Sequence, residues 1–442
     1  MGTTFLRALA GAALLAVASG PALAATEIQW WHAMGGELGE KLNAIAKGYN
    51  QSQTAYTVVP VYKGSYAETL TAAIAAFRAK QQPAIVQVFE VGTATMMAAK
   101  GAVYPVFQLM KDTGEAFDPA SYLPAVTGYY SDVHGNMLSL PFNSSTPVLY
   151  YNKDAFQKAG LDPEAPPTTW PELEADAKKL QTAGTTCGFT TGWPSWVQIE
   201  NFSAWHNLPI GTLSNGFGGL ATRLTINNEL VVRHIGQLAE WQKSKIFDYG
   251  GRESASAPKF YSGECAIYMN SSAAYSAIRA NVKSFKFGVG MLPYWPDVKG
   301  APQNSIIGGA TLWVLSGLAP EVYKGVAGFF SYLSSPPVQA DWHQFSGYLP
   351  ITMAAYELTR QQGFYDKNPG TDVAIKQMTL HAPTENSKGL RFGYFVQIRN
   401  VIEEDLEAIL SGKMTAKAGL DDAVARGNEL LARFETENGG KE

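Results

Sequence analysis

The residue types best suited to holding a small ligand are pairs of serine or glycine at junctions between apolar segments. These pairs are Ser144-Ser145, Ser271-Ser272 and Gly308-Gly309. Small side chains let a ligand approach the backbone, and a serine at a helix start places hydroxyl and N–H donors where the helix dipole stabilises an anion. The pairs therefore indicate an anion site, although helix caps and glycine turns use the same residues.

Two charged residues stand where ligand binding would explain them. Glu90 ends an apolar segment and is expensive to bury unpaired, so we expect a polar ligand, a cation or water beside it. Arg399 begins a predicted helix after Gly393-Tyr394-Phe395 and can contact a phosphate through two nitrogens. A surface salt bridge is the alternative for Arg399.

Aromatic residues form two further groups, Trp193, Trp196 and Trp205 in one and Tyr66 and Tyr348 in the other. Tryptophan faces pack against the carbons of sugars and polyols, and a tyrosine hydroxyl fixes a ligand's orientation. Most tryptophans belong to a core or its rim, so core packing stays the alternative.

The elements that must position these residues alternate between helix and strand. Apolar residues at helical spacing predict helices over 37–50, 66–79, 398–410 and 420–434. Short apolar runs predict strands, the one at 84–89 being of the buried, parallel kind. The predicted strands are 27–31, 57–62, 84–89, 148–151, 188–191, 265–270, 287–292 and 311–315. This alternation indicates an α/β fold.

Composition limits the classes of protein that the chain can belong to. Of its 442 residues, 46% are hydrophobic and 16% charged, and the formal charge is −4. The length indicates two or three domains, and the composition excludes a disordered protein. Because the chain has no basic field, we expect no nucleic-acid partner.

The N-terminal residues 1–24 are typical of a secretory signal peptide. Arg7 precedes an apolar run over 8–18, and Ala22-Leu23-Ala24 matches a cleavage site. Export would carry Cys187 and Cys265 into a compartment where thiols oxidise. A disulfide between them and two separate buried thiols are both open, because sequence does not measure their separation.

The common catalytic and cofactor motifs are missing from the sequence. The six histidines lack metal-site spacing, no CxxC or GxSxG occurs, and Gly412-Lys413 is followed by Met414 instead of the hydroxyl residue of a phosphate-binding loop. Gly216 and Gly218 follow a polar loop instead of a strand, which favours a turn over a dinucleotide site. We expect no metal, no cofactor and no enzymatic activity.

Four blocks of sequence carry a resemblance to a known family. The chain resembles the periplasmic sn-glycerol-3-phosphate-binding proteins, which are family 1 extracellular solute-binding receptors of ABC importers. Further blocks lie at 192–193, 200–205, 306–310 and 347–352, and the similarity spans 27–436. The four longest blocks are residues 31–37 (WHAMGGE), 62–66 (YKGSY), 88–97 (VFEVGTATMM) and 140–153 (LPFNSSTPVLYYNK).

The resemblance implies an α/β fold of the type II periplasmic solute-binding kind. Two α/β lobes are joined by a three-crossing hinge, with the ligand cleft between them. In this chain the crossings are expected near 141, 293 and 335. The expected N-terminal lobe comprises 25–141 and 294–335, and the expected C-terminal lobe comprises 142–293 and 336–442.

The resemblance also implies a role for individual residues. Tyr66 and Glu90 would hold the glycerol hydroxyls, and Trp193 and Trp196 would form a wall of the cleft. Residues 270–273 depart from the family pattern, although both serines remain. The residues expected to receive the phosphate are Ser145, Ser271, Gly309 through its N–H, Tyr348 and Arg399. Glu90 and Arg399 would then mark opposite ends of the ligand.

The implied function is capture of sn-glycerol 3-phosphate, and of glycerophosphodiesters, in the periplasm. A monomeric receptor would deliver them to an ABC permease that a cytoplasmic ATPase drives. A neutral-sugar receptor of the same fold is the alternative, favoured by the tryptophans and disfavoured by Arg399 and the serines. A secreted glycoside hydrolase needs two acids, and only Glu90 presents itself.

Overall fold

The computed structural model describes residues 25–439. The predicted signal segment, residues 1–24, lies outside the described range. Within that range, no helix combines the length and the apolar character needed to cross a membrane.

A six-stranded sheet forms one half of the molecule, in the order β2-β1-β3-β10-β4 with β5 paired to β10. Strands β1, β2 and β3 run parallel, whereas β10 runs antiparallel to β3, β4 and β5. The strands are β1 (Thr26–His32), β2 (Tyr56–Tyr62), β3 (Ile85–Phe89), β4 (Val103–Tyr104), β5 (Leu140–Ser145) and β10 (Gly308–Leu315).

A four-stranded sheet forms the other half, in the order β7-β8-β6-β9. Its strands are β6 (Pro147–Asn152), β7 (Cys187–Thr191), β8 (Cys265–Ser271) and β9 (Phe287–Gly290). Strands β7 and β8 are parallel, and β6 is antiparallel to both of its neighbours. The two mixed sheets and the helices around them confirm the α/β prediction.

Helices cover both sheets and follow most of the strands. Those of the first part of the chain are α1 (Gly36–Ser52), α2 (Tyr66–Arg78), α3 (Thr93–Ala98), α4 (Val106–Thr113), α5 (Pro124–Tyr130), α6 (Lys153–Lys158), α7 (Trp170–Thr182), α8 (Phe202–Trp205), α9 (Thr212–Asn215) and α10 (Glu229–Lys243). The later ones are α11 (Ala257–Tyr261), α12 (Ala274–Asn281), α13 (Pro320–Leu333), α14 (Pro336–Ser346), α15 (Met353–Gln361), α16 (Phe364–Lys367), α17 (Val373–Met378), α18 (Phe395–Leu410) and α19 (Ala416–Asn438).

Local sequence signals explain where the site-bearing helix α2 begins. The Ser65 side chain accepts from the backbone of Glu68, and the Glu68 carboxylate accepts from the backbone of Ser65. This reciprocal capping satisfies two donors that a helix start leaves free. It fixes Tyr66 as the first residue of α2, shortly after β2 ends at Tyr62.

The chain passes between the two sheets at Thr146 and again between β9 and β10. The Thr146 hydroxyl lies 2.7 Å from Ser305 Oγ and donates to the Ile306 carbonyl at 3.0 Å, so the two passages are hydrogen-bonded. The Phe142 ring stacks on Trp342 with centroids 5.0 Å apart. The lobe boundaries stay a prediction, but strand β5 carries residues 142–145 in the larger sheet, beyond the expected crossing at 141.

The structure contains the disulfide between Cys187 and Cys265 that the sequence left open. The two residues are register partners on the parallel strands β7 and β8, with Cα atoms 4.5 Å apart, and both are fully buried. The bond closes a sequence separation of 78 residues. A long closed loop restricts the unfolded chain strongly, so the bond stabilises the smaller sheet's half of the protein.

Replacing both cysteines by alanine should lower the free energy of unfolding by about 2 to 4 kcal/mol, because the unfolded chain regains loop entropy. Urea unfolding measures this change. A reductant should lower the stability of the native chain and leave the double variant unchanged. Equal stability of the variant and the native chain would contradict a structural role for the bond.

Candidate ligand-binding site

A cavity of about 720 Å³ opens between the two sheets. Residues from strand ends, loops and helices of both halves line it. The structure brings all nine residues singled out from the sequence into this one cavity. They are Tyr66, Glu90, Ser145, Trp193, Trp196, Ser271, Gly309, Tyr348 and Arg399. Their contact with a ligand stays a prediction.

Strand ends place three of these residues. Glu90 directly follows β3, Ser145 is the last residue of β5, and Ser271 is the last residue of β8. Ligand clefts of α/β proteins lie at such strand ends, because loops there are free to carry polar groups. The cavity therefore lies where the topology of the sheets predicts a ligand cleft.

Arg399, on α18, makes three hydrogen bonds to two carboxylates at the cavity. Its Nε and Nη2 donate to the two carboxylate oxygens of Glu200 at 2.9 and 2.7 Å, and Nη2 also donates to Glu90 Oε1 at 2.8 Å. The three residues are only 7%, 1% and 5% exposed in the order Arg399, Glu200, Glu90. A buried guanidinium is thus held between two buried carboxylates.

Burial and charge oppose each other in this triad. Burial raises the pKa of Glu90 above its ordinary value against the lowering effect of Arg399. Burial by itself would lower the pKa of Arg399, but Glu200 and Glu90 raise it above the ordinary value. Arg399 therefore stays charged. Its Nη1 makes no hydrogen bond to any described residue, which leaves that amino group for a ligand.

The triad corrects two sequence-based expectations. Glu90 and Arg399 are in direct contact, so they do not mark opposite ends of the ligand. The surface salt bridge considered for Arg399 is also wrong, because both of its partners are buried. Sequence reasoning missed Glu200, which lies in the buried π-helix Trp196–Asn201. The cost of burying an unpaired carboxylate, which singled out Glu90, applies equally to Glu200 because it also follows an apolar segment.

The tryptophans divide between cavity and core. Trp193 and Trp196 line the cavity, whereas Trp205 is 1% exposed and donates its Nε1 to the Leu292 carbonyl at 3.0 Å. The core alternative therefore holds for Trp205. Trp196 packs against Gly308, where an added Cβ would lie 2.4 Å from the indole. Glycine at that position lets the indole ring reach the cavity wall.

One residue of each serine or glycine pair faces the cavity. Ser145, Ser271 and Gly309 line it, whereas the other member of each pair, Ser144, Ser272 or Gly308, does not. Gly309 has φ +88°, and an added Cβ would lie 1.9 Å from the Asn143 carbonyl, so only glycine fits. Ser271 Oγ accepts from the backbone N–H of Ala273 at 3.1 Å, just before α12 begins.

Arg399→Met should lower the free energy of unfolding by about 3 to 5 kcal/mol, because it leaves two buried carboxylates unpaired. Adding Glu90→Gln and Glu200→Gln should restore most of the loss. Unpaired buried carboxylates have raised pKa values, so the deficit of Arg399→Met should shrink as the pH falls. Urea unfolding measures all three effects.

The matched control is Arg233→Met, which removes an exposed ion pair to Asp297 with an N–O distance of 2.6 Å. It should cost at most about 1 kcal/mol. If Arg399→Met unfolded at the same urea concentration as this control, the triad would not be a buried, coupled unit.

Comparison with known proteins gives the family. The bacterial extracellular solute-binding protein family matches residues 44–371. The chain is 56% identical over 427 residues to the sn-glycerol-3-phosphate-binding periplasmic protein UgpB of Yersinia pseudotuberculosis, covering 96% of this chain and 97% of the relative. It is 54% identical over 426 residues to UgpB of Salmonella typhimurium, with the same coverage, 96% and 97%.

Solved structures with low sequence identity share the fold. UgpB from Mycobacterium tuberculosis in complex with glycerophosphocholine matches with a TM-score of 0.77 at 20% identity, covering 92% of this chain and 99% of that one. Maltose-bound T. maritima MalE3 matches with a TM-score of 0.75 at 18% identity, covering 92% and 100%. These matches confirm the two-lobe solute-binding fold, and the chain belongs to the bacterial extracellular solute-binding protein family.

Proposed function

We propose that the protein is the periplasmic receptor of an ABC importer and captures sn-glycerol 3-phosphate in the cavity around Arg399. The observation that carries the proposal is the buried guanidinium whose Nη1 is left without a protein partner among the described residues. High identity over nearly the whole chain to relatives named for this ligand supports it.

The charges of the triad determine how a phosphate would be held. Arg399 faces Glu90 and Glu200, so one positive charge is outweighed by two negative ones. A phosphate beside it then depends on neutral donors as well as on Nη1 of Arg399. Hydroxyls and backbone N–H groups bind phosphate oxygens well in a cleft that excludes water. In the proposal, these donors are Ser145, Ser271, Gly309 and Tyr348.

The carboxylate beside the guanidinium has a complementary role in the proposal. Glu90 accepts hydrogen bonds from the glycerol hydroxyls, and Trp193 and Trp196 pack against the glycerol carbons. A volume of about 720 Å³ lies within the usual range for small-molecule sites. A cavity of this size is larger than a glycerol phosphate needs, so glycerophosphodiesters belong to the proposed ligands.

Closure of the two lobes would couple capture to transport. A ligand that contacts residues of both halves favours the closed form, since it gains those contacts only there. The permease would recognise the closed monomer, and a cytoplasmic ATPase would drive uptake. The proposed lobes are 25–141 with 294–335, and 142–293 with 336–442, with the first crossing moved to Thr146 because residues 142–145 belong to the larger sheet.

The relatives are binding proteins, and we propose that this chain likewise performs no catalysis. A glycoside hydrolase needs one carboxyl group free to protonate the leaving group. Glu90 and Glu200 instead both accept hydrogen bonds from the Arg399 guanidinium, so neither carboxyl group is free of a protein partner. Hydrolysis of a chromogenic glycoside by the purified protein would contradict this part of the proposal.

At 100 times its dissociation constant, sn-glycerol 3-phosphate should stabilise the protein by about 2.7 kcal/mol, which thermal unfolding detects as a higher Tm. Maltose at the same concentration should have no effect. Ser145→Ala and Ser271→Ala should each weaken binding by about 10- to 100-fold in calorimetry, because each removes a hydrogen bond to a charged group.

Ser411→Ala is the control for these serine variants, since Ser411 is exposed and directly follows the C-terminal end of α18. Its affinity should equal that of the native chain. A Tm that rises with maltose and ignores sn-glycerol 3-phosphate would replace the proposal with the neutral-sugar receptor.

A further inference from the structure

A chain of buried hydrogen bonds leads from the backbone directly after β1 to the cavity. The Ala33 N–H donates to Gln87 Oε1 at 2.8 Å, and Gln87 Nε2 donates to Asn143 Oδ1 at 2.9 Å. Asn143 Nδ2 in turn donates to the Tyr66 hydroxyl oxygen at 2.9 Å. Gln87 and Asn143 are 0% exposed, so water does not offer either amide another partner.

The direction of this chain is fixed at its first bond. A backbone amide can only donate, so Ala33 must face the amide oxygen of Gln87. The NH₂ group of Gln87 is then left for Asn143, which must meet it with its own oxygen. Asn143 therefore turns its NH₂ group to Tyr66, and the Tyr66 proton is free for another acceptor.

Tyr348 does not use up this proton. The Tyr348 side chain neighbours Tyr66, and both residues line the cavity. Whichever hydroxyl donates to the other, one phenolic proton remains for the cavity. Burial raises the pKa of both tyrosines above the ordinary value, so neither gives up its proton at neutral pH. The Tyr348 hydroxyl donates to Met34 Sδ at 3.9 Å, and a thioether sulfur is only a weak acceptor.

We propose that Gln87 and Asn143 are positioning residues that fix the polarity of the tyrosine pair, so that this side of the cavity presents a donor and selects a ligand atom that only accepts. The inference rests on the proposed function, in which the phosphate oxygens are the strongest acceptors of the ligand. A neutral sugar hydroxyl, which can give or take a proton, gains less from a fixed donor. This hydrogen-bond relay, which runs from Ala33 through Gln87 and Asn143 to Tyr66, therefore favours a phosphorylated ligand without adding a positive charge.

Gln87→Glu tests the relay, because a carboxylate can only accept. It would take the Ala33 N–H and the NH₂ group of Asn143, turn the Asn143 oxygen towards Tyr66, and withdraw the Tyr66 proton from the ligand. Affinity for sn-glycerol 3-phosphate, measured by calorimetry at pH 7, should fall by about 10- to 100-fold. Gln87→Met, of similar size but uncharged, should cost less than about threefold, since Asn143 can keep its orientation.

A double-mutant cycle separates the effect of the relay from electrostatic repulsion between the new carboxylate and the phosphate. Tyr66→Phe cuts the relay at its last member and leaves the repulsion in place. If the relay carries the effect, Gln87→Glu should cost less than about threefold in the Tyr66→Phe protein. An equal loss in both backgrounds, or a Gln87→Glu protein that binds within about threefold of the native chain, would overturn the inference.

A second measurement covers the case in which Gln87→Glu does not fold. 3-Fluorotyrosine at position 66 is more acidic than tyrosine and is a stronger donor, so it should tighten binding of sn-glycerol 3-phosphate. Weaker binding would mean that Tyr66 accepts and would overturn the relay. Failure of the native chain to bind sn-glycerol 3-phosphate would instead refute the proposed function, so the two failures are distinguishable.

Discussion

The buried guanidinium of Arg399 between Glu90 and Glu200 is the interaction on which the cavity depends. Removing three charged groups from water is costly, and a buried ion pair seldom repays that cost fully. Its value here is positional. Glu200 holds Nε and Nη2 of Arg399, Glu90 shares Nη2, and Nη1 has no hydrogen-bond partner among the described residues. A long, flexible side chain thereby becomes a fixed donor.

The fold brings this arrangement together from distant parts of the chain. Glu90 follows a strand of the larger sheet, Glu200 lies in a π-helix after β7, and Arg399 belongs to α18. The passages between the sheets are tied by the Thr146 and Ser305 hydroxyls. Closing one half on the other would change distances across the cavity. A ligand that contacts both halves would therefore bind the open and closed forms with different affinity.

Sequence reasoning reached the fold class and most strands because their apolar runs are short and well separated. It missed β5, since Asn143, Ser144 and Ser145 end that strand with polar residues that resemble a loop. These residues are buried because they pair with β10 at the cavity. Strand pairing of this kind depends on residues far apart in the chain, which local periodicity does not report.

Site residues were recognised more completely than their contacts. Residue type and family resemblance singled out Glu90 and Arg399, yet placed them at opposite ends of the ligand. Their side chains are in direct contact, although the two residues are 309 positions apart in the sequence. The disulfide was left open for the same reason, because only the register of β7 and β8 sets Cys187 opposite Cys265. The relay through Gln87 and Asn143 likewise exists only once β1, β3 and β5 are assembled.

The most direct test of the central claim is a crystal structure of the protein grown with sn-glycerol 3-phosphate. The account predicts phosphate density within hydrogen-bond distance of Arg399 Nη1, Ser145 and Ser271, with the glycerol hydroxyls on Glu90. An empty cavity at saturating ligand, or a phosphate bound elsewhere with Arg399 fully occupied by its two carboxylates, would contradict it.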